Sequence, residues 1–147
     1  DSSTSRGLGD VYKRQGKGPW ETYADRKDAA LIGLYTSSVA EQHVPFAVPC
    51  ECGGHEDTRF AALSDGTHTV QIVGSDDFHF SALPYSIAEY RKATYEEELP
   101  EQTTGTWLIL DVAHAGLGGD TGWTKNIHPE YRVCKGRYSY TFRFHFA

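Results

Sequence analysis

The feature that most restricts the fold of this chain is a strict alternation of aromatic with smaller or polar residues near its C-terminus. The segment reads Tyr138, Ser139, Tyr140, Thr141, Phe142, Arg143, Phe144, His145, Phe146. Because successive side chains of a β-strand point to opposite faces, this period of two places the aromatic rings on one face. The pattern predicts a half-buried antiparallel strand. An aromatic row can also serve as a ligand platform, but core packing is the favoured interpretation.

Short apolar runs separated by turn residues continue the strand pattern through the middle of the chain. These runs cover residues 58–63, 67–73 and 78–81. The Asp65-Gly66 pair between the first two runs predicts a hairpin, and residues 74–77 separate the second run from the third. Residues 107–112 have the β-branched and aromatic composition of a buried strand.

Only one helix is predicted with a clear start signal. Ser86 and Glu89 have the spacing of a capping box, which predicts a short helix from Ser86 to Thr94. Asp28 to Tyr35 fits a helix or a strand, and periodicity does not decide between them. Together the elements predict an all-β, antiparallel fold with one minor helix.

A glycine-rich loop follows the predicted strand 107–112 and ends at Trp123. Its glycines, which permit positive φ and close backbone approach, are Gly116, Gly118, Gly119 and Gly122. A large ring among small polar residues, beside Asp120, is well placed to face a ligand because loops carry many binding groups. Packing of Trp123 over a sheet edge is the alternative. His114 fits a proton donor, a ligand contact or a hydrogen-bonded structural histidine.

Composition excludes several classes of protein. The 147 residues suit one domain, and a net charge of -6 with interspersed acids and bases argues against a nucleic-acid surface. The apolar runs are too short to span a bilayer, and the first residues lack the apolar core of a signal peptide. Three cysteines give no disulfide framework, which favours a reducing, cytoplasmic location.

The first 15 residues have no hydrophobic period. Residues 6–15 resemble a translated sequencing-adapter read-through, so the sequence predicts a non-native tail over 1–15 and one domain over 16–147. If the tail is foreign, we expect that the natural chain continued upstream.

Motifs for cofactor, metal and nucleophile chemistry are weak. Residues 116–121 nearly match a dinucleotide fingerprint, but Thr121 takes the place of the third glycine and no helix is predicted after it. Cys50-x-Cys52-x-x-His55 lacks the usual zinc-site spacing, so incidental reduced cysteines are favoured and no metal is expected. Nothing in the sequence pairs the carboxylates that a glycosidase needs; the candidates are Glu21, Glu51, Asp111 and Asp120.

Several segments in a fixed order resemble the C-terminal domain, or small chain, of the large β-galactosidases of glycoside hydrolase family two. Residues 16–26 resemble the family's Gly-x-Gly-Pro-x-Glu-x-Tyr-x-Asp-Arg, and Val44-Pro45-Phe46 with residues 49–53 resembles its Pro-Tyr/Phe…Pro-x-Glu-Asn-Gly. Residues 78–85 and the Gly-Leu-Gly-Gly-Asp-x-x-Trp at 116–123 complete a match that covers essentially residues 16–147. Cys52 departs from the family, because an asparagine usually stands there.

The resemblance implies a partial antiparallel β-sandwich of the galactose-mutarotase-like supersandwich type, present as its C-terminal half. It implies that Trp123 lines the substrate pocket, where an indole face stacks on a sugar. His114 and Asp120 become further candidate contacts, or loop-shaping neighbours together with Gly116, Gly118, Gly119 and Gly122. It also implies that the catalytic glutamates, and most magnesium and sodium sites, lie on a TIM barrel outside this chain.

These implications lead to three functional hypotheses. In the leading one the chain is a fragment that is inactive alone and completes the active-site wall of a β-galactosidase, whose partners are the remaining polypeptide, the β-galactoside and further copies in a homo-oligomer. The enzyme would hydrolyse terminal β-D-galactosides with retention. A free-standing carbohydrate-binding module and a mutarotase-like enzyme are the alternatives, and the last rests on fold analogy alone.

Overall fold

A computed structural model describes residues 11–101, 105–117 and 126–147. Six strands and one short α-helix form most of the regular structure of these residues, together with the short 3-10 helices Ala40–Gln42, Glu96–Glu98 and Pro129–Tyr131. In chain order the strands and the α-helix are β1 (Val11–Gly18), β2 (Leu31–Ser38), β3 (His55–Ser64), β4 (Thr69–Leu83), α1 (Ile87–Lys92), β5 (Trp107–Asp111) and β6 (Phe142–Phe146). This is the predicted all-β, antiparallel architecture with one minor helix, and it is consistent with a sandwich-type fold. Among the described residues, no helix has the length and apolar composition needed to cross a bilayer.

All six strands belong to one antiparallel sheet. The order is β2-β1-β3-β4-β5, and β6 also pairs with β4. Strand β4 pairs with β6 through Val70–Gly74 and with β5 through His79–Leu83, while β3 pairs along most of its other side. The long strand β4 therefore organises the sheet and brings the C-terminal strand β6 beside the middle of the chain.

The buried face of the sheet is lined by alternate residues of the central strands. Its core cluster contains Tyr12, Val39, Ala61, Leu63, Ile72, Phe78, Phe80 and Ala82. In β1 the inward positions are Tyr12 and Arg14, which pair with Leu63 and Ala61 of β3. Period-two burial of this kind is what a half-buried strand requires.

Strand β1 corrects the expectation that residues 1–15 lie outside the fold. Val11–Gln15 form the first part of β1, and Tyr12 and Arg14 are almost completely buried. This segment pairs with β2 on one side and β3 on the other, which satisfies the hydrogen-bonding groups of its backbone. Its sequence nevertheless has no clear hydrophobic period. Residues 1–10 lie outside the described residues, and the foreign origin of the tail stays a prediction.

The predicted hairpin and the predicted helix are confirmed. Between β3 and β4, Asp65 Oδ1 accepts hydrogen bonds from the backbone N–H groups of Thr67 and His68, and Gly66 adopts a φ of 88°. At α1, Ser86 Oγ accepts from the Glu89 N–H, and the Glu89 carboxylate accepts from the Ser86 N–H. The undecided segment 28–35 contains the start of β2.

Strand β4 differs from its prediction because it continues through residues 74–77. The sequence places a break there, but β6 pairs as far as Gly74, and the Ser75 N–H donates to the carbonyl of Thr141. The irregularity appears in the pairing with β3. Between His55 and Thr58, β3 has one extra residue, and Asp57 has a φ of 52°. Between Val73 and Phe78, β4 has three extra residues relative to β3. A bulge absorbs the extra residues that the sequence pattern attributes to a loop.

The aromatic strand is shorter and more exposed than its alternation predicts. Only Phe142–Phe146 pairs as a strand; Tyr140 and Phe142 pack against the core, whereas Phe144 and Phe146 are 48% and 75% exposed. The prediction of a buried strand over 107–112 is likewise wrong for Trp107, which is 47% exposed because β5 lies at the sheet edge. Both strands pair only with β4, so no further strand among the described residues covers their outer edges.

Candidate functional site

The motif at residues 16–26 connects β1 to the segment that precedes β3. Glu21 Oε2 accepts a hydrogen bond from the Gly53 N–H at 2.9 Å, and Thr22 Oγ1 accepts one from the Glu56 N–H at 2.8 Å. The backbone of Thr22 also donates to the Gly54 carbonyl at 2.7 Å. The motif thus fixes the backbone of residues 53–56 through its own side chains and main chain.

Tyr23 is the buried centre of this contact. It is fully buried, and its hydroxyl accepts a hydrogen bond from the Gly54 N–H at 3.3 Å. Its ring lies 5.6 Å from the imidazole of His79 and 5.4 Å from that of His114, measured between centroids. Burial raises the pKa of the Tyr23 hydroxyl, so the side chain is a neutral phenol at physiological pH.

Asp25 extends the same motif to the glycine-rich loop. Its Oδ1 accepts a hydrogen bond from the Leu117 N–H at 2.9 Å, and the preceding Gly116 N–H donates to the carbonyl of Tyr131 at 2.9 Å. A Cβ on Gly116 would lie only 2.6 Å from the Asp25 carboxyl carbon. Glycine is therefore required at position 116 for the loop to approach Asp25 this closely.

Glu51, His79 and His114 meet beside Tyr23 and form what we call the histidine cluster. His114 Nε2 lies 2.7 Å from Glu51 Oε1, and the two imidazole rings stack with centroids 4.3 Å apart and planes 18° apart. The chain supplies these side chains from three places: the loop before β3, strand β4 and the loop after β5. The cluster therefore attaches the start of the glycine-rich loop to the sheet.

Further hydrogen bonds set the orientation of both imidazoles. His79 Nδ1 lies 2.8 Å from Glu56 Oε1, and His114 Nδ1 lies 2.7 Å from the carbonyl oxygen of Ala115. The hydrogen bond with Glu51 raises the pKa of His114, and the same bond lowers the pKa of Glu51. This pair therefore favours the imidazolium–carboxylate state.

The histidine cluster is also the one group in the described part of the chain whose side chains have the arrangement of a metal-binding set. Each of Glu51, His79 and His114 offers one ligand atom, and these atoms lie within 4.8 Å of one another. The side chain of His79 is 2% exposed, that of His114 15% and that of Glu51 44%. The cluster is thus buried at one end and open at the other.

The structure describes only part of the site that the sequence predicts. Trp123, Asp120, Gly118, Gly119 and Gly122 lie outside the described residues, so their assigned roles stay predictions. Gly116 is buried against Asp25 and Tyr131, as a loop-shaping glycine requires. His114 points into the histidine cluster at the start of the loop.

The cysteine motif does not converge on one point. Cys52 Sγ is buried beside the Val44 N–H and the Tyr90 hydroxyl, whereas His55 Nε2 lies near the Tyr12 hydroxyl and Gln42 Oε1. Of the candidate carboxylates, Glu21 and Glu51 have separate partners, Gly53 and His114. These groups serve as hydrogen-bond partners in different parts of the fold.

Three further residues near the site were not predicted from the sequence: Asp25, Glu56 and His79. Asp25 could have been found, because it is a fixed position of the motif at residues 16–26. His79 lies in a strand whose residues 78–83 are all buried, so alternation gives it no special place. Glu56 lies in β3 and meets His79 only because β3 and β4 pair with a bulge.

The fold and these contacts define an antiparallel β domain that holds residues 114–117, the start of the glycine-rich loop, through Glu51, Asp25 and Tyr131. The profile of the β-galactosidase small chain family matches residues 10–144. The chain therefore belongs to this family, as its resemblance implies. The match begins upstream of Gly16, in agreement with the placement of Val11–Gln15 in strand β1.

Individual relatives agree with the family assignment. "Beta-galactosidase 2" of Enterobacter cloacae is 41% identical over 127 residues, which cover 86% of this chain and 12% of the relative. A β-galactosidase of Vibrio cholerae is 38% identical over 125 residues, covering 85% of this chain and 12% of the relative. "Beta-galactosidase BgaC" of Bifidobacterium adolescentis is 37% identical over 122 residues, covering 80% and 11%. The chain thus spans about an eighth of the length of these relatives.

Proposed function

We propose that this chain acts as the C-terminal part of a β-galactosidase and supplies one wall of the substrate pocket. The catalytic glutamates of that enzyme would come from a barrel outside this chain, and the reaction would be retaining hydrolysis of terminal β-D-galactosides. Trp123 would stack its indole on the sugar or its aglycone. The chain would therefore be inactive alone, and its partners would be the rest of the polypeptide and the galactoside.

The observation that carries the proposal is the anchoring of the glycine-rich loop at its first residues. Asp25 accepts from the Leu117 N–H, and His114 contacts Glu51, so the backbone six residues before Trp123 is held by the segments that precede β2 and β3. A binding group is most effective when rigid elements hold its approach. The free thiols of Cys50, Cys52 and Cys134 also support the proposed cytoplasmic location.

Complementation tests this proposal directly. The 147-residue chain is assayed with a chromogenic β-galactoside alone, and again after mixing with a β-galactosidase relative truncated before its matching segment. We expect no hydrolysis by either part alone and recovered hydrolysis on mixing. Hydrolysis by the chain alone, or no recovery with a chain that circular dichroism shows to be folded, would contradict the proposal.

The role of Trp123 is tested in the same mixture. Trp123→Ala should lower the recovered kcat/KM by roughly fivefold or more, because a stacked aromatic ring is worth about 1 kcal/mol or more. Trp107→Ala is the matched control, since Trp107 is a half-exposed tryptophan on strand β5. An equal effect of the two substitutions would assign Trp123 to general packing.

A free-standing carbohydrate-binding module is the second candidate, and one surface favours it. Trp20 is 82% exposed beside a cleft of about 700 Å³ that Glu21, Arg26 and Tyr35 also line. An exposed indole with charged neighbours suits a sugar ring. This candidate expects galactoside binding by the isolated chain that Trp20→Ala abolishes, whereas the leading proposal expects Trp20→Ala to leave complementation unchanged.

A further inference from the structure

We propose that the histidine cluster of Glu51, His79 and His114 is a binding site for a divalent transition-metal ion of the zinc type. Three side chains from distant parts of the chain bring their ligand atoms within 4.8 Å of one another. Their burial increases from Glu51 to His114 to His79. An ion would therefore reach the site from the Glu51 side and bind against the buried imidazole.

The ligand chemistry selects the class of ion. Two imidazole nitrogens and one carboxylate oxygen form a set that Zn²⁺ uses with a fourth position left to water. Mg²⁺ and Ca²⁺ instead prefer oxygen ligands alone. Imidazole-rich sites suit zinc and the neighbouring first-row metals, so the set fits this class and departs from the expectation that the chain holds no metal.

Hydrogen bonds behind the two imidazoles match those of established metal sites. The Nδ1 atom of His79 faces the Glu56 carboxylate at 2.8 Å, and the Nδ1 atom of His114 faces the Ala115 carbonyl at 2.7 Å. A metal-bound histidine generally donates its other ring N–H to such an acceptor, which fixes the tautomer. Both rings are therefore arranged to use Nε2 as the ligand atom.

The contacts of His114 support the same ligand assignment. Its Nδ1 faces the carbonyl oxygen of Ala115, and its Nε2 faces the Glu51 carboxylate. A metal ion between Nε2 and Glu51 would bind both of these atoms while the Nδ1 contact with Ala115 is kept.

Only a modest rearrangement is needed. In a tetrahedral site with ligand bonds of about 2.0 Å, the ligand atoms lie roughly 3.3 Å apart. The spread of up to 4.8 Å must shorten, while the 2.7 Å distance between His114 and Glu51 must lengthen. Glu51 has the most exposed side chain of the three and can make most of this movement.

The test titrates Co²⁺ into the 147-residue chain after removal of bound metal with a chelator. We expect visible d–d absorption bands at one Co²⁺ per chain, which Zn²⁺ then displaces. His114→Asn and Glu51→Gln should each weaken Co²⁺ binding at least about tenfold, and Glu56→Gln should weaken it by about 10–100-fold through its hydrogen bond to His79. Circular dichroism of each variant establishes that it is folded.

Two control variants address other ligands near the site or elsewhere on the surface. Cys50→Ser removes the exposed thiol next to Glu51, and His145→Asn removes an exposed imidazole on β6. Neither should change the bands or the affinity. Absence of bands up to about 1 mM Co²⁺, unchanged binding in folded His114→Asn, or loss of binding in Cys50→Ser would each overturn the proposal.

Discussion

Asp25 Oδ1 accepts a hydrogen bond from the backbone N–H of Leu117 at 2.9 Å, across 92 residues of sequence. Asp25 belongs to the motif at residues 16–26, and Leu117 is the last described residue before the segment 118–125. This single contact joins two motifs that the sequence places far apart. It explains why an aspartate stands beside the arginine of the first motif and a glycine begins the second.

Removal of this carboxylate should loosen the loop without unfolding the sheet. A hydrogen bond to a charged group contributes about 1.5–3 kcal/mol, so Asp25→Ala should accelerate hydrogen exchange at the Leu117 amide by roughly tenfold or more. Nuclear magnetic resonance of the labelled chain measures this rate. Asp28→Ala, at an exposed position three residues away, is the control and should leave the rate unchanged. Equal rates in the two variants would remove Asp25 from its anchoring role.

Gly54 should not tolerate a side chain. A Cβ at this position would lie 2.5 Å from His79 Cε1 and 2.8 Å from Tyr23 Cε1, and both rings are buried. Overpacking of this kind typically costs about 1–3 kcal/mol, so Gly54→Ala should lower the free energy of unfolding by that amount in urea titrations. A Cβ at Gly136 would meet only an ordinary contact, 3.9 Å from Tyr138 Cε2. Gly136→Ala should therefore change the free energy of unfolding by less than about 0.5 kcal/mol. Similar stability of both variants would contradict the packing described for the cluster.

Local signals in the sequence predict local structure well in this chain. The Asp65-Gly66 turn and the Ser86–Glu89 capping box are correct because hydrogen bonds within four residues determine them. The extent of β4 was not predictable in this way. Its continuation through residues 74–77 depends on pairing with β6, about seventy residues later in the chain, and on a bulge in β4 opposite β3.

The candidate site shows the same division. The glycine at position 116 and the imidazole at 114 were selected because they follow a strand and begin a loop. The partners of His114 could not be selected, since Glu51 and His79 reach it only through the arrangement of three separate chain segments. The exposure of Phe144 and Phe146 was not predicted either. Alternation of aromatic and polar residues indicates which face of a strand is apolar, but not whether another element covers that face.

Stability should depend on pH through the buried imidazole of His55. Burial, with Arg14 nearby, lowers the pKa of His55 well below its usual value of about 6.5. Below that pH the unfolded chain binds a proton that the folded chain does not, so the folded state loses stability as the pH falls, by at most about 1.4 kcal/mol per pH unit. His114 acts in the opposite sense, since its pKa is raised and its stabilisation is lost as the pH rises through that value.

The contribution of His55 is isolated by comparing variants. His55→Gln should flatten the dependence of unfolding free energy on pH between about 6.5 and 5, measured by urea denaturation at each pH. His145→Gln, on the exposed strand β6, should leave the pH dependence of the unfolding free energy unchanged. An unchanged slope in folded His55→Gln would show that another group is responsible.

Replacement of Arg14 by an apolar residue should stabilise the fold. Arg14 is fully buried; its guanidinium donates to the carbonyls of Lys17 and Pro19 and lies over the ring of Tyr35, while its Nε has no hydrogen-bond partner among the described residues. Within those residues, no carboxylate lies within salt-bridge distance of it. Burial of a charge without an opposite charge is costly.

Arg14→Met keeps much of the side-chain volume and removes the charge, so the free energy of unfolding should rise by about 1 kcal/mol or more. Lys13→Met is the matched control, because Lys13 is exposed on the opposite face of β1 and should have an effect below about 0.5 kcal/mol. Urea denaturation of both variants at one pH provides the comparison. A loss of stability in Arg14→Met would mean that the hydrogen bonds to Lys17 and Pro19, with the contact to Tyr35, outweigh the cost of the buried charge.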